Sequence, residues 1–104
     1  TSKLKRAILT ILMREGYVDG IEDGAHEGHP ILTVHLRYVG EGQPMITGLE
    51  RVSKPGRRVY IGSQEIKKVR NGIGVSIIST SKGIMTDQES RKNRLGGELL
   101  CSVW

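Results

Sequence analysis

The stretch Ser79-Thr80-Ser81-Lys82-Gly83 lies between a dense apolar run, residues 73–78, and the apolar pair Ile84-Met85. This pattern predicts two strands joined by a short polar loop. The loop carries three consecutive hydroxyls, one cation and a glycine that can adopt positive φ. Such residues suit contact with a sugar-phosphate chain and with the shallow groove of an RNA helix. An ordinary polar turn is the alternative interpretation.

The basic charge of the chain is concentrated in its second half. Residues 1–51 carry six Lys or Arg against seven Asp or Glu, and residues 52–104 carry ten against four. The balances are −1 and +6, within a net charge of +5. A strongly basic half predicts a polyanionic partner, with a solvated basic face as the alternative.

The composition indicates a small protein with an aliphatic core. Among 104 residues there is no Phe, so Ile, Leu and Val must form the core. The single cysteine, Cys101, excludes an internal disulfide and suits a reducing compartment, and its place in an apolar pattern predicts a buried thiol. Without a membrane-length apolar run or signal-peptide pattern, we expect a soluble chain with no membrane partner.

The first half of the chain is predicted to form a helix and two strands. Apolar residues recur at spacings of three and four between Leu4 and Leu12, which predicts an amphipathic helix from about residue 3 to residue 15. Residues 22–30 are polar and are predicted as a loop. Residues 31–39 alternate between apolar and polar, and with residues 45–52 they are predicted to form an antiparallel hairpin.

Pro55-Gly56 predicts a turn at the boundary between two domains, residues 1–51 and 52–104. Thr86 and Glu89 have the spacing of a capping box at the start of a short basic helix. The fold class expected is α+β, with an N-terminal helix plus β-hairpin and a C-terminal β-rich domain with short helices. The predicted elements of the second domain are strands at 58–61, 74–79, 84–85 and 98–104, a helical turn at 64–69 and a helix at 87–94.

Enzymatic and metal-binding chemistry find little support. His26 and His29 lie three residues apart, but no second ligand pair has a recognisable spacing, so no metal site is predicted. The glycines of residues 71–74 precede a strand instead of following one, so they lack the geometry of a dinucleotide fingerprint. We therefore predict no catalytic residues and no cofactor, and a small phosphate-binding enzyme is the alternative from a different class.

An RNA-binding surface explains several basic segments of the second domain together. The hydroxyl loop at 79–83, the turn from Lys54 to Arg58 and the helix carrying Arg91 and Lys92 all belong to this domain. Aromatic residues for stacking are scarce, which favours a folded RNA recognised by shape, sugar hydroxyls and phosphates. Ser81→Ala should then cost about 1–3 kcal/mol of specific affinity. Arg91→Ala should weaken binding to all RNAs alike, through lost counterion release.

Five motifs follow one another along the chain: Arg51-Val52-Ser53-Lys54-Pro55-Gly56, Val59-Tyr60, Gly72-Ile73-Gly74, Ser79-Thr80-Ser81-Lys82-Gly83-Ile84-Met85-Thr86-Asp87 and Gly96-Gly97-Glu98-Leu99-Leu100-Cys101. In this order and spacing they closely resemble the bacterial-type small-subunit ribosomal protein eight family. The opening segment, Ser2-Lys3-Leu4-Lys5, is also similar to the second helix of that family, so the resemblance covers essentially the whole chain.

The resemblance implies a two-domain protein that binds the central domain of small-subunit, 16S-type rRNA and helps to assemble the platform of that subunit. It implies that Lys82 meets a phosphate and that Glu98, after Gly97, braces the recognition loop or touches the RNA. Tyr60 would pack near the contact, and Lys3 and Lys5 would make a second, backbone-directed contact. The residues implied to line the groove contact are Ser79, Thr80, Ser81 and Gly83.

The resemblance also implies partners and a location. The protein partners are ribosomal proteins five and twelve. In some bacteria the protein also binds and represses its own mRNA through the same surface. The location is the small ribosomal subunit of the cytoplasm or of an organelle. The family usually begins with a further helix and strand before the segment that matches Thr1. Their absence here predicts an N-terminal sheet that is one strand short.

Overall fold

The computed structural model describes residues 2–65 and 74–104. The chain divides into two compact units, Thr1–Ile46 and Thr47–Trp104. The division lies five residues before the predicted boundary, because residues 49–51 pair with the last strand of the chain. A 3-10 helix, Ser63–Glu65, lies at the start of the helical turn predicted at 64–69. The rest of that predicted turn falls within residues 66–73, which lie outside the described residues.

The first unit consists of helix α1 and two small antiparallel sheets. Helix α1 packs against strand β1, and its Ile11 and Leu12 are buried, as is Val18 at the start of β1. The predicted helix is therefore confirmed, one residue displaced at each end. Its elements are α1 (Ser2–Arg14), β1 (Val18–His26), β2 (His29–Leu36), β3 (Tyr38–Gly40) and β4 (Gln43–Pro44).

The hairpin of this unit forms between other strands than predicted. Strand β2 pairs with β1, and the tight turn between them, Glu27-Gly28, has φ of 51° and 80°. The prediction of a loop at 22–30 is therefore wrong. Of the pairing predicted between 31–39 and 45–52, only the end next to the turn forms, where Tyr38 pairs with Pro44 and the Met45 N–H donates to the Arg37 carbonyl at 2.6 Å. Residues 31–36 pair with β1 instead. Residues 22–26 of β1 are all exposed, so they lack the alternation that identifies a half-buried strand.

The second unit is built around a five-stranded antiparallel sheet in the order β5-β9-β7-β8, with β6 also paired to β9. Strand β5 pairs with residues 101–103 of β9, and β6 pairs with residues 97 and 98 on the same side. The strands are β5 (Leu49–Arg51), β6 (Tyr60–Ile61), β7 (Val75–Thr80), β8 (Gly83–Thr86) and β9 (Gly97–Val103).

The core of this unit lies under β7 and β9. The buried apolar side chains are Val75, Ile77, Ile78, Cys101 and Val103, so the predicted burial of the cysteine is confirmed. Burial raises the pKa of the Cys101 thiol above its ordinary value.

Helix α2, Asp87–Lys92, follows β8 directly. The predicted capping box is present: the Glu89 N–H donates to Thr86 Oγ1 at 3.2 Å, and the Thr86 N–H donates to the Glu89 carboxylate at 3.3 Å. The mixed α+β class is thus confirmed. Among the described helices, none is long and apolar enough to cross a membrane.

Candidate nucleic-acid interface

The hydroxyl loop is a tight hairpin turn between β7 and β8. Thr80 closes it, because its hydroxyl donates to the Gly83 carbonyl at 2.8 Å and accepts from the Lys82 N–H at 3.1 Å. Gly83 has φ of 115°, a conformation that other residues rarely adopt, which explains the glycine at this position. Ser81 and Lys82 are exposed at the tip, so their side chains are available to a partner.

Three candidate side chains form one row across the sheet beside this loop. Glu98 of β9 pairs with Tyr60 of β6 on one side and with Ser79 of β7 on the other. Residues directly opposite in an antiparallel pair project to the same face. The phenol of Tyr60, which is 70% exposed, therefore lies on the same face as the Glu98 carboxylate and the Ser79 hydroxyl.

Gly96 and Gly97 allow β9 to enter between two other chain segments. A Cβ on Gly97 would lie 2.1 Å from the Ser79 carbonyl oxygen, and one on Gly96 would lie 2.5 Å from the Ile61 carbonyl oxygen. Both distances are shorter than van der Waals contact, so any side chain would force the backbones apart. The two glycines thus bring Glu98 close to the hydroxyl loop.

Glu98 is held by a serine and an arginine from the segment before β6. The Ser53 hydroxyl donates to Glu98 Oε2 at 2.5 Å, and Arg58 Nη1 donates to the same oxygen at 3.1 Å. These contacts, the serine first, lower the pKa of the Glu98 carboxyl below its ordinary value of 4.5, against the opposing effect of burial. Glu98 is therefore ionised at neutral pH.

The segment between Ser53 and Val59 carries the basic turn, which we define as Lys54-Pro55-Gly56-Arg57. Two backbone hydrogen bonds close this turn: the Lys54 N–H donates to the Arg57 carbonyl at 3.0 Å, and the Arg57 N–H donates to the Lys54 carbonyl at 2.9 Å. Lys54, Arg57 and Arg58 are exposed. Arg57 was not among the candidates named from the sequence, although it belongs to the same run of cations.

Helix α2 carries two candidate cations, one exposed and one that forms an ion pair within the helix. Lys92 is exposed, whereas Arg91 Nη1 lies 3.2 Å from Oδ2 of the buried Asp87. Asp87 in turn accepts a hydrogen bond from the Ser76 N–H of β7 at 3.1 Å. Arg91 thus has a structural role in its ion pair with Asp87, in addition to the favourable position of a last-turn cation in the helix dipole. Arg94 is exposed just after the helix.

The candidate residues of the first unit lie on its helix and hairpin. Lys3 and Lys5 are exposed on α1. Three acidic residues lie on β1. Asp19 Oδ1 accepts a hydrogen bond from Arg37 Nε at 2.8 Å, Glu22 Oε1 lies 3.1 Å from His35 Nε2, and Asp23 pairs with Arg6.

The two histidines of the metal hypothesis face each other at the end of this hairpin. His26 and His29 are register partners on either side of the turn. Within residues 2–65 and 74–104, no group of three or more His, Cys, Asp or Glu residues is placed to hold a metal ion.

The structure thus brings together the hydroxyl loop, Gly97, Glu98, Tyr60 and Arg58 at one end of the sheet of the second unit. Sequence reasoning missed Ser53 as a site residue, because its partner Glu98 is 45 positions away in the chain. The only local signal was a serine directly before the Lys-Pro-Gly turn.

Comparison with known proteins identifies relatives along the whole chain. The family model described as "Ribosomal protein S8" matches residues 1–104. The chain is 54% identical over 104 residues to the small ribosomal subunit protein uS8 of Opitutus terrae, an alignment that covers 99% of this chain and 79% of that protein. It is 52% identical to uS8 of Ruegeria pomeroyi, with the same coverage. It is 53% identical to uS8 of Clostridium novyi, covering 100% of this chain and 79% of that protein.

Proposed function

The chain belongs to the ribosomal protein S8 family, and we propose that it binds the central domain of small-subunit rRNA directly through one face of its second unit. Like its relatives, it is a structural protein of the small ribosomal subunit, and it is not an enzyme. In the small subunit, its partners are rRNA and other ribosomal proteins.

The observation that carries the proposal is the row Tyr60, Glu98 and Ser79 beside the tip of the hydroxyl loop. We define the RNA-binding face as this row together with residues 80–83, Gly97, Arg58 and Lys54. Its hydroxyls are donors and acceptors that suit ribose 2′-hydroxyls and base edges, and its cations suit phosphates. The Tyr60 ring adds an exposed surface on which a base can stack.

Individual residues of the face have different roles in the proposal. Ser79 and Ser81 contact the shallow groove, whereas Thr80 and Gly83 hold the loop in the shape that presents them. Lys82, Lys54 and Arg58 neutralise phosphates. Arg91 and Lys92 add a sequence-independent contact from α2. In the first unit, Lys3 and Lys5 make a separate contact with the RNA backbone.

The family resemblance supports finer partners as part of the same proposal. We propose contacts with ribosomal proteins five and twelve and a part in assembling the platform of the small subunit. A stem in the protein's own mRNA that reproduces the shape of the rRNA stem would bind the same face, which would give the protein a second role as a translational repressor.

The proposal is tested by comparing two RNAs over a salt series. The full chain is titrated with a central-domain rRNA stem and with a regular base-paired hairpin of equal length. We expect a preference for the stem that persists as salt rises, because hydrogen bonds to the loop do not depend on counterion release. Equal affinity for both RNAs, lost together in salt, would show only a basic surface and would refute the proposal.

Ser81→Ala is the sharpest single substitution on this face. Ser81 is exposed at the tip, so its loss should leave the free energy of unfolding unchanged while lowering stem affinity by about 1–3 kcal/mol. Thr80→Ala should lower both quantities, because it also removes the two hydrogen bonds that close the loop. Calorimetric titration and urea unfolding measure the two quantities.

Thr47→Ala is the matched control for these variants. Thr47 is also exposed, but its backbone N–H pairs with Trp104 at the opposite end of β9 from the loop. This variant should bind the stem as the parent chain does. A Ser81→Ala variant with parental stem affinity would remove the hydroxyl loop from the interface.

A further inference from the structure

Ser53 is a buried hydroxyl in the middle of the proposed RNA-binding face. Ser53 is 6% exposed, and its hydroxyl accepts one hydrogen bond and donates another. Its Oγ accepts from the Val59 N–H at 3.1 Å and donates to Glu98 Oε2 at 2.5 Å. A serine has one hydroxyl proton, so the bond from Val59 directs that proton to the carboxylate.

The same serine joins the two ends of the segment that carries the basic turn. The Val52 and Ser53 N–H groups both donate to the Leu100 carbonyl of β9, and the Val59 carbonyl accepts from the Leu99 N–H. The segment from Ser53 to Val59 therefore pairs with β9 at both of its ends, through the adjacent residues Leu100 and Leu99. The bond from Val59 to Ser53 Oγ ties the two ends together at the base of the turn.

The position of Glu98 among phosphate-binding cations makes its orientation important. A carboxylate repels phosphates, so it is compatible with this face only if its charge is compensated and its direction is defined. Ser53 and Arg58 both bind Oε2. Within the part of the chain that the structure describes, no other hydrogen bond to this carboxylate is present, so Oε1 is left as an acceptor on the residue that pairs with Ser79 and Tyr60 across the sheet.

We propose that Ser53 is a positioning residue of the RNA-binding face, whose hydroxyl orients the Glu98 carboxylate and couples it to the basic turn. The inference rests on the proposed function. Ser53 itself does not touch the RNA. It acts through Glu98, which accepts a hydrogen bond from an RNA sugar hydroxyl or base amino group and thereby contributes to the preference for the stem.

The electrostatics of the site support this role. The Ser53 hydrogen bond is the largest of the influences that lower the pKa of Glu98, ahead of the Arg58 hydrogen bond and charge. Ser53 and Arg58 from the preceding segment contact the carboxylate, and Tyr60 of β6 and Ser79 of β7 are the strand partners of Glu98. Of these four residues, Arg58 is the one with a basic side chain.

The test compares Ser53→Ala and Ser53→Thr in the full chain, each with and without Glu98→Gln. Two quantities are measured: the pKa of the Glu98 carboxyl by NMR in the free protein, and the ratio of affinities for the central-domain stem and the regular hairpin. Ser53→Ala should raise the pKa of Glu98 toward 4.5 and reduce the ratio about tenfold, the loss typical of a hydrogen bond to a charged group.

Three further results distinguish positioning from a merely structural role. Ser53→Thr keeps the hydroxyl and should restore both quantities. In the Glu98→Gln background, Ser53→Ala should cause no further loss of preference, because residues that act through one another are not additive. The salt slope of binding should stay as in the parent chain, since no charge is removed.

Ser53→Cys keeps the side-chain shape with a much weaker donor, and it replaces Ser53→Ala should the latter fail to fold. A folded variant of either kind that keeps the parental pKa of Glu98 and the parental stem preference would overturn the inference, as would losses that add to those of Glu98→Gln. A parent chain without any stem preference would instead overturn the proposed function itself.

Discussion

Gly97 shows at the scale of a single residue how the site depends on backbone approach. A Cβ at this position would lie 2.1 Å from the Ser79 carbonyl oxygen and 3.2 Å from the Thr80 Cα. Both contacts are with main-chain atoms, which cannot move aside as the end of a long side chain can. The strand therefore needs a residue without a side chain at the point where it passes the hydroxyl loop.

Gly97→Ala should consequently lower the free energy of unfolding by about 1–3 kcal/mol, the usual cost of overpacking. It should also weaken stem binding, because β9 and the loop must separate to admit the methyl group. Urea unfolding and RNA titration measure the two effects. Gly56→Ala is the control, since a Cβ there meets nothing within 4 Å and should leave stability close to that of the parent.

The sequence pattern anticipated Gly97 only in part. The resemblance placed Glu98 near the loop, whereas the helix predicted at 87–94 ends at Lys92, before the two glycines. The close approach to Ser79 needed the register of β7 against β9, which joins residues about twenty positions apart. Hydrophobic periodicity describes one segment at a time and contains no information about such a partner.

Helix α2 shows at the scale of an element how one short segment combines structural and candidate binding roles. Its first turn is capped by Thr86 and Glu89, and its Asp87 fixes it to β7 through the Ser76 N–H. Six residues are too few to form a stable helix alone, so these contacts hold it. Arg91 is part of this arrangement through its ion pair with Asp87.

Arg91→Ala and Lys92→Ala should therefore differ in stability, although both remove one cation from the same helix. Loss of Arg91 leaves the buried Asp87 with fewer partners and should lower the free energy of unfolding by about 1 kcal/mol. Lys92 is exposed, so its loss should change stability by less than about 0.5 kcal/mol.

Both variants should weaken the stem and the regular hairpin alike. Each should reduce the salt slope of binding by about one unit if its cation meets a phosphate. Chemical unfolding and salt-dependent titrations separate the two contributions. Equal stability of the two variants would show that the Arg91–Asp87 pair contributes nothing to the folded state.

The two units of the molecule differ in charge and in the size of their cores. The second unit, residues 47–104, carries eleven Lys or Arg against five Asp or Glu, whereas residues 1–46 carry five against six. In the described residues, five apolar side chains are buried in the second unit and three in the first. The basic unit is thus also the one with the larger core and the larger sheet.

Hydrogen exchange on the full chain should reflect this difference. The amides of β7 and β9 lie in the middle of a five-stranded sheet and should exchange slowest, only through global unfolding. The amides of the β1–β2 hairpin belong to a two-stranded sheet with many exposed residues and should exchange faster, through local opening. Equal protection in both units would show that they unfold as one cooperative body.

Local sequence determined the elements whose signals are local. The spacing of apolar residues predicted α1, the capping-box spacing predicted the start of α2, and the hydroxyl loop between apolar runs predicted the β7–β8 hairpin. The motifs also sufficed to indicate the family. These features depend on residues within a few positions of one another, so the chain specifies them without knowledge of distant partners.

The tertiary structure alone decided the pairing of β2 and β5 and which side chains complete the site. Strand β2 pairs with the exposed and polar β1, and β5 pairs with β9 at the end of the chain, so neither predicted partner was correct. Ser53 meets Glu98 for the same reason, since β9 brings them together across 45 positions. Strand pairing depends on backbone hydrogen-bonding groups that all residues except proline offer alike, so only the folded chain selects the partner.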